Sequence, residues 1–249
     1  MHLAAVSIVR SECDIIEPFV RHNATFFDRL YILDHRSTDT TPDILRRLAD
    51  DGLPLVLSRE GYGIFYQGPT MTQLIKRACD DHPWDFIIPL DGDEFLRVPD
   101  RATLEAALAD LDPASIGLSE VVNYIPTASD DPDELDVLRR IVHRAKTKPD
   151  TGSRIFKVVI PGAVIRQPAF RSMKAITAFA STAGRSRNAG SRGSALRISP
   201  SAPSISSSCA PSCAASPGLR ARITIRAGAG ITARSSSSSR ASLRSRPPT

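Results

Sequence analysis

From residue 151 to its end at 249 the sequence contains no aspartate and no glutamate. All 27 acidic side chains fall in the first 150 residues, beside 16 of the 32 Lys and Arg, so that part carries −11 and the last 99 residues +16. About a quarter of an ordinary domain is charged and roughly half of that is acidic, so such a stretch arises by chance on the order of once in 10⁵ sequences. The two parts therefore differ in origin, and the overall +5 describes neither.

Other absences narrow the classes further. No apolar run approaches the roughly 20 residues of a membrane span. The N-terminus lacks the apolar core of a signal peptide, so a cytoplasmic protein is expected. Of four cysteines, Cys13 and Cys79 are isolated in apolar or helical surroundings and read as buried thiols. Cys209 and Cys213 have no histidine or second cysteine pair beside them, which argues against zinc.

What is present is an alternation. The runs "LAAVSIV" (3–9), "RLYIL" (29–33), "LPLVLS" (53–58) and "FIIPL" (86–90) are short and apolar without helical period, and predict buried strands. Between them lie helical stretches at 14–23, at 70–81 and after Thr41-Pro42-Asp43, where a hydroxyl cap, an early proline and an acid open a helix that stops at Gly52. "TLEAALADL" (103–111) predicts another helix and "RIFKVVI" (154–160) a late strand. This spacing indicates βαβ units, hence an α/β, Rossmann-like fold with a mainly parallel central sheet covered on both faces. Ligands of such sheets bind beyond the carboxyl ends of the strands. "DHRSTD" after the second strand and "DGDE" after the fourth both fall there.

In an extended D-x-D, Asp91 and Asp93 point to one side, and Gly92 allows close approach. Hard oxygen ligands at a strand end suit Mg²⁺ or Mn²⁺, which take a few carboxylates together with phosphate oxygens. The bland alternative is a solvated acidic turn, and the position after a buried strand weighs against it. Ser37, Asp39 and Thr41 are ordinary turn and cap residues, and a structural role is expected of them. Asp34, at the end of the second strand, and Glu12, after the first, stand where a ligand would lie.

Together, "VSIVRSECDIIEPFVRHN", "LYILDHRSTDTTPDIL" and "FIIPLDGDEFL" resemble family-2 glycosyltransferases of the A-type fold, in the subgroup whose metal motif is D-G/A-D-E-F. The likeness spans roughly residues 3–171, with Thr40 in place of a common glycine. It implies a nucleotide-diphospho-sugar donor lying across the strand ends. Asp34 would then bind base or ribose, and Glu12 would line the nucleoside pocket. Asp91, beside Gly92, would contact ribose or the metal's water shell, and Asp93 would hold a divalent metal, Mn²⁺ or Mg²⁺, on the diphosphate. Glu94 is left between supporting the loop and ligating through water. The implied reaction is attack of an acceptor hydroxyl on the anomeric carbon with inversion. No residue identifies itself as the base. Asp130, Asp131, Asp133 and Glu134 read as a solvated loop and His143 as a surface residue. The acceptor class (glycan, lipid or protein) is not legible.

Residues 1–171 thus form the expected nucleotide-sugar-binding domain, and 172–249 a Ser/Arg/Ala-rich tail expected to be disordered. A shift of reading frame near codon 172 is the expected origin of that tail. Reverse-translated and read from each third base, "MKAITAF" (173–179) allows E-G-N-H-R-V, and "ALRISPSAPS" (195–204) allows L-A-H-F-P-V-R-S. Both look like segments near the C-terminus of the resembling enzymes, whose late histidine this chain then lacks. Two other readings stand beside this one. A non-catalytic protein could bind nucleic acid or an acidic membrane through its basic tail, although nucleic acid is not the expected partner. A D-x-D phosphatase would need an Asp where the first strand is followed by Arg10-Ser11-Glu12.

Overall fold

The computed structural model describes residues 1–59, 66–134, 136–144, 155–167 and 170, together with the backbone of 222–227. Its elements in chain order are β1 Leu3–Val9, α1 Ile16–Asn23, β2 Arg29–Asp34, α2 Thr41–Asp50, β3 Leu55–Arg59, α3 Gln67–Asp81, β4 Phe86–Pro89 and β5 Glu94–Phe95. α4 Arg101–Ala109, β6 Gly117–Asn123, α5 Val137–Arg140, β7 Ile155–Pro161, α6 Gly162–Ile165 and β8 Arg222–Ala227 follow.

The sheet runs β3-β2-β1-β4-β7-β6-β8-β5. β3, β2, β1 and β4 are mutually parallel, β7 is antiparallel to β4, and β6 is antiparallel to β7. This is the mainly parallel α/β sheet that the alternation predicts, closed on one side by antiparallel strands. Alternate side chains of β1 enter different cores. Leu3, Ala5 and Val9 pack with Phe19, Leu45 and Leu48, whereas Ala4 and Val6 pack with Ile75, Trp84 and Ile160. Both faces are therefore covered, which explains why the central strands read as continuous apolar runs.

Differences from expectation are local. α3 begins at Gln67, three residues earlier than the predicted 70. β6 was not foreseen: Gly117, Ser119 and Glu120 interrupt its apolar pattern, yet it pairs with β7 along five positions. Of the tail, only β8 is described, and its backbone pairs with β6 and β5. The remaining residues of 172–249, with Cys209, Cys213 and the segments tied to a frame shift, lie outside the described residues.

Candidate functional site

The loops after β1 and β2 are joined by three successive backbone donors. Ser11 N–H reaches Ser37 Oγ at 2.8 Å, Glu12 N–H reaches Thr41 Oγ1 at 2.8 Å, and Cys13 N–H reaches Asp39 Oδ2 at 3.2 Å. The structural role expected of Ser37, Asp39 and Thr41 is thus present in altered form. Thr41 is the first residue of α2, not its cap, and its hydroxyl serves the other loop. Asp39 Oδ1 meanwhile accepts Thr41 N–H at 3.0 Å, an acid on the positive end of the helix. Ser11 and Arg36 adopt φ of 53° and 59°, a costly conformation for non-glycine residues. The cross-loop bonds hold both bends in place.

Asp34 ends β2, level with Val9 of β1 and Arg59 of β3. Only 5% of it is exposed. Its Oδ1 accepts Ser37 N–H at 3.0 Å. Its Oδ2 lies 3.2 Å from Arg59 Nε without hydrogen-bond alignment, so this buried oxygen has an ion-pair neighbour but receives no donor. Asp34 and Arg59 line a cavity of about 220 Å³ with Arg46, Ser58 and the apolar Ile32, Pro42, Leu45 and Leu57. One carboxylate, one hydroxyl and two guanidinium groups thus share the cavity with four apolar side chains, a mixed lining that suits a polar organic ligand.

The acidic turn lies beyond β4. Gly92 is buried against β1: an added Cβ would stand 3.2 Å from Val9 Cγ1 and 3.6 Å from Glu12 Cγ. The close approach inferred for Gly92 is therefore that of Val9 and the Glu12 side chain. Glu12 is half-buried, and its carboxyl is pushed up to about 7 by burial and then by Asp93, Asp14, Asp39 and Asp91. Asp91 N–H donates to Glu94 Oε2 at 3.0 Å and Glu94 N–H to the Asp91 carbonyl at 3.0 Å, which closes the turn. Glu94 is fully buried, and burial raises its carboxyl to about 7.

A cation that the sequence reading did not identify sits on this turn. Lys157 of β7 donates from Nζ to Asp91 Oδ2 at 2.6 Å and lies 3.1 Å from Glu94 Oε1, again without hydrogen-bond alignment to the latter. Burial alone would lower the Lys157 ammonium, but Glu94 and Asp91 more than offset this and raise it, so it stays charged. The one available signal was a lone lysine inside the apolar run "RIFKVVI". Arg59, at the end of β3, carries no comparable signal in the sequence.

The donor set suits a hard divalent ion in kind, being all oxygen, and its mutual repulsion is what such an ion relieves. An ion on Asp91 Oδ2 would have to displace Lys157. Among the described residues no group of three or more His, Cys, Asp or Glu side chains has metal-holding geometry, so an ion here would depend on ligand oxygens as well. The candidate loop of Asp130 and His143 turns inward on itself. Asp130 accepts Thr127 N–H at 2.7 Å and lies 3.1 Å from His143 Nδ1, while Asp131 and Asp133 are exposed, consistent with a surface loop.

No family model matches the chain, and no curated protein matches it. Solved structures do. TarS 1–349 of S. aureus in complex with UDP-GlcNAc aligns with a TM-score of 0.37 and 19% identity, over 47% of this chain and 33% of that one. The mannosyltransferase PcManGT from Pyrobaculum calidifontis, in complex with GDP-Man and Mn²⁺, aligns with a TM-score of 0.34 and 21% identity, over 47% and 34%. The chain thus spans about a third of the length of these proteins. Scores and identities at this level leave function to be read from the chain's own residues.

Proposed function

We propose that the chain binds a nucleotide-diphospho-sugar across the carboxyl ends of β1, β2 and β4, and that the site is built for sugar transfer to an acceptor hydroxyl. The observation that carries this reading is the Asp34 carboxylate. It is buried, one oxygen lacks a donor, and the residue lines a cavity beside Arg59. A buried acceptor without a donor is costly, and a ligand N–H or hydroxyl would satisfy it. A nucleobase or ribose supplies such a group, and Arg59 would face a carbonyl or hydroxyl oxygen of the same ligand.

From that pocket the ligand would run past Glu12 toward the acidic turn. Asp93 and Glu12 are the residues that would hold Mn²⁺ or Mg²⁺, with Asp91 and Gly92 shaping the turn. When bound, the ion would neutralise charge on the departing nucleoside diphosphate. The chain's own part is to orient: the cavity's apolar side chains would pack against the base, and the joined loops fix Glu12 relative to Asp34. The donor sugar is open, the acceptor is a hydroxyl of a glycan, lipid or protein, and inversion is the expected stereochemistry. A cytoplasmic location fits nucleotide-sugar supply; among the described residues no helix is long and apolar enough to cross a membrane.

The test is a panel of nucleoside diphosphates scored by thermal shift on the chain and on Asp34→Asn. Asn keeps the acceptor for Ser37 but presents a donor or a weaker acceptor to the ligand. Binding lost in Asp34→Asn, with the unliganded melting temperature retained, supports the reading. Equal binding by both proteins would remove it.

A further inference from the structure

We propose that Lys157 is a resident cation of the acidic site, competing with a divalent ion for Asp91 and so confining that ion to Asp93 and Glu12. The proposal rests on the donor-site reading above and deepens it.

The backbone places Lys157 there by register. β7 runs antiparallel to β4, with Phe86 opposite Pro161 and Ile87 opposite Ile160. Each step forward along β4 is a step back along β7, so Lys157 arrives level with the end of β4, beside Asp91. On its other side it is level with Ser119 of β6, itself buried. The side chain of Lys157 is only 23% exposed, so its ammonium has little water to turn to.

Its reach is divided between two acids that are themselves linked. Asp91 Oδ2 accepts the short charge-assisted bond, and Glu94 Oε1, with no exposed surface, lies within 3.1 Å. Glu94 Oε2 accepts Asp91 N–H and Glu94 N–H donates to the Asp91 carbonyl, so the turn holds the two side chains close enough for one ammonium to meet both. Glu12 stands over Gly92 at the end of β1, its Cγ 3.6 Å from where a Gly92 Cβ would lie. The ammonium therefore gives the Asp91–Glu94 part of the cluster a resident cation. A divalent ion ligated by Asp91 would stand a few ångströms from the ammonium, and in a half-buried site that repulsion is large. Asp91 Oδ2 can ligate an ion only if Lys157 withdraws, and an ion on Oδ1 would still face the ammonium across the same carboxylate.

The test is a double-mutant cycle read by calorimetric binding of Mn²⁺ alone, without nucleotide, in the full chain. The four proteins are the parent, Asp91→Asn, Lys157→Met and the double variant. Asp91→Asn alone should change the Mn²⁺ dissociation constant by less than about twofold, because that carboxylate is already occupied. Lys157→Met should tighten binding on the order of tenfold, and Asp91→Asn in that background should reverse the gain. Independent effects of the two substitutions, or unchanged or weaker Mn²⁺ binding in Lys157→Met, would overturn the proposal and leave the metal reading intact. No Mn²⁺ binding by any of the four folded proteins would overturn both. Because Lys157→Met leaves the Glu94 carboxyl without its cation, the pair Lys157→Met/Glu94→Gln is measured alongside it. The same tightening is expected there, and its absence in a folded protein counts equally against the proposal.

Discussion

The carboxamide of Asn23 grips the backbone at Leu96. Asn23 Oδ1 accepts Leu96 N–H at 3.2 Å, while its Nδ2 donates to the Glu94 carbonyl at 3.0 Å and to Phe19 O at 3.1 Å. A side chain at the end of α1 thus does for β5 what a neighbouring strand would. His22 adds a second tie: burial lowers its pKa, so its ring is neutral, and Nε2 donates to the Leu96 carbonyl at 2.7 Å. The acidic turn is therefore anchored to α1 from behind. Asn23→Leu would leave two buried backbone groups without partners, at about 1–3 kcal/mol each. Urea unfolding should show a loss of about 2–4 kcal/mol; a loss below about 1 kcal/mol would mean the clamp is dispensable.

The cross-loop bonds predict a smaller, distributed effect. Ser37→Ala removes the acceptor of Ser11 N–H, and Thr41→Val removes that of Glu12 N–H. Each should cost about 1 kcal/mol in urea unfolding. Both should also weaken nucleotide binding, because Glu12 and Asp34 are held relative to each other through these loops.

Gly162 has no room for a side chain. A Cβ there would stand 1.9 Å from the Trp84 carbonyl oxygen, a backbone atom, while Gly162 N–H donates to the Asp85 carbonyl at 2.8 Å. Overpacking usually costs about 1–3 kcal/mol, and against rigid backbone Gly162→Ala should reach or exceed the top of that range. An unchanged melting temperature would contradict the close docking of β7 on β4.

Arg101 ties α4 to the start of the sheet and supplies a pH prediction. Its Nη1 and Nη2 each lie 2.8 Å from an oxygen of Asp28, whose Oδ2 also accepts Leu3 N–H at 2.8 Å. The hydrogen bond from Arg101 holds the Asp28 carboxyl below its ordinary value despite some burial. A carboxyl depressed in the folded state contributes stability that is present above the unfolded value near about 4 and lost as pH falls below it. Both side chains are about a third exposed, so solvent screening limits the contribution to about 1 kcal/mol. Asp28→Asn should therefore be less stable than the parent at pH 7, and the gap should narrow at pH 3. A gap that widens on acidification would contradict the assignment.

The strands that frame the site were legible because the central sheet is buried on both faces. β1, β2 and β4 consequently appear as apolar runs, and whatever polar residue ends such a run stands at the carboxyl edge of the sheet. That reasoning singles out Asp34, Asp91 and Glu12, and the structure puts all three at the same end of the sheet. The partners that set their chemistry were not legible. Lys157 meets Asp91 across 66 residues and Arg59 meets Asp34 across a parallel register, and neither pairing follows from local pattern. Thr41 shows the limit on a smaller scale: its place at a helix start was readable, but the loop that uses its hydroxyl was not. β6 escaped because a half-covered strand with Gly117, Ser119 and Glu120 has neither a continuous apolar run nor clean alternation.

The most direct test of the strand-end donor site is calorimetric titration of UDP and of GDP into the chain, with and without Mn²⁺, beside Asp93→Asn. The account predicts nucleotide binding that strengthens with Mn²⁺ and loses that dependence in Asp93→Asn, while the metal-free component persists through Asp34. A folded chain that binds neither nucleotide under either condition would contradict it.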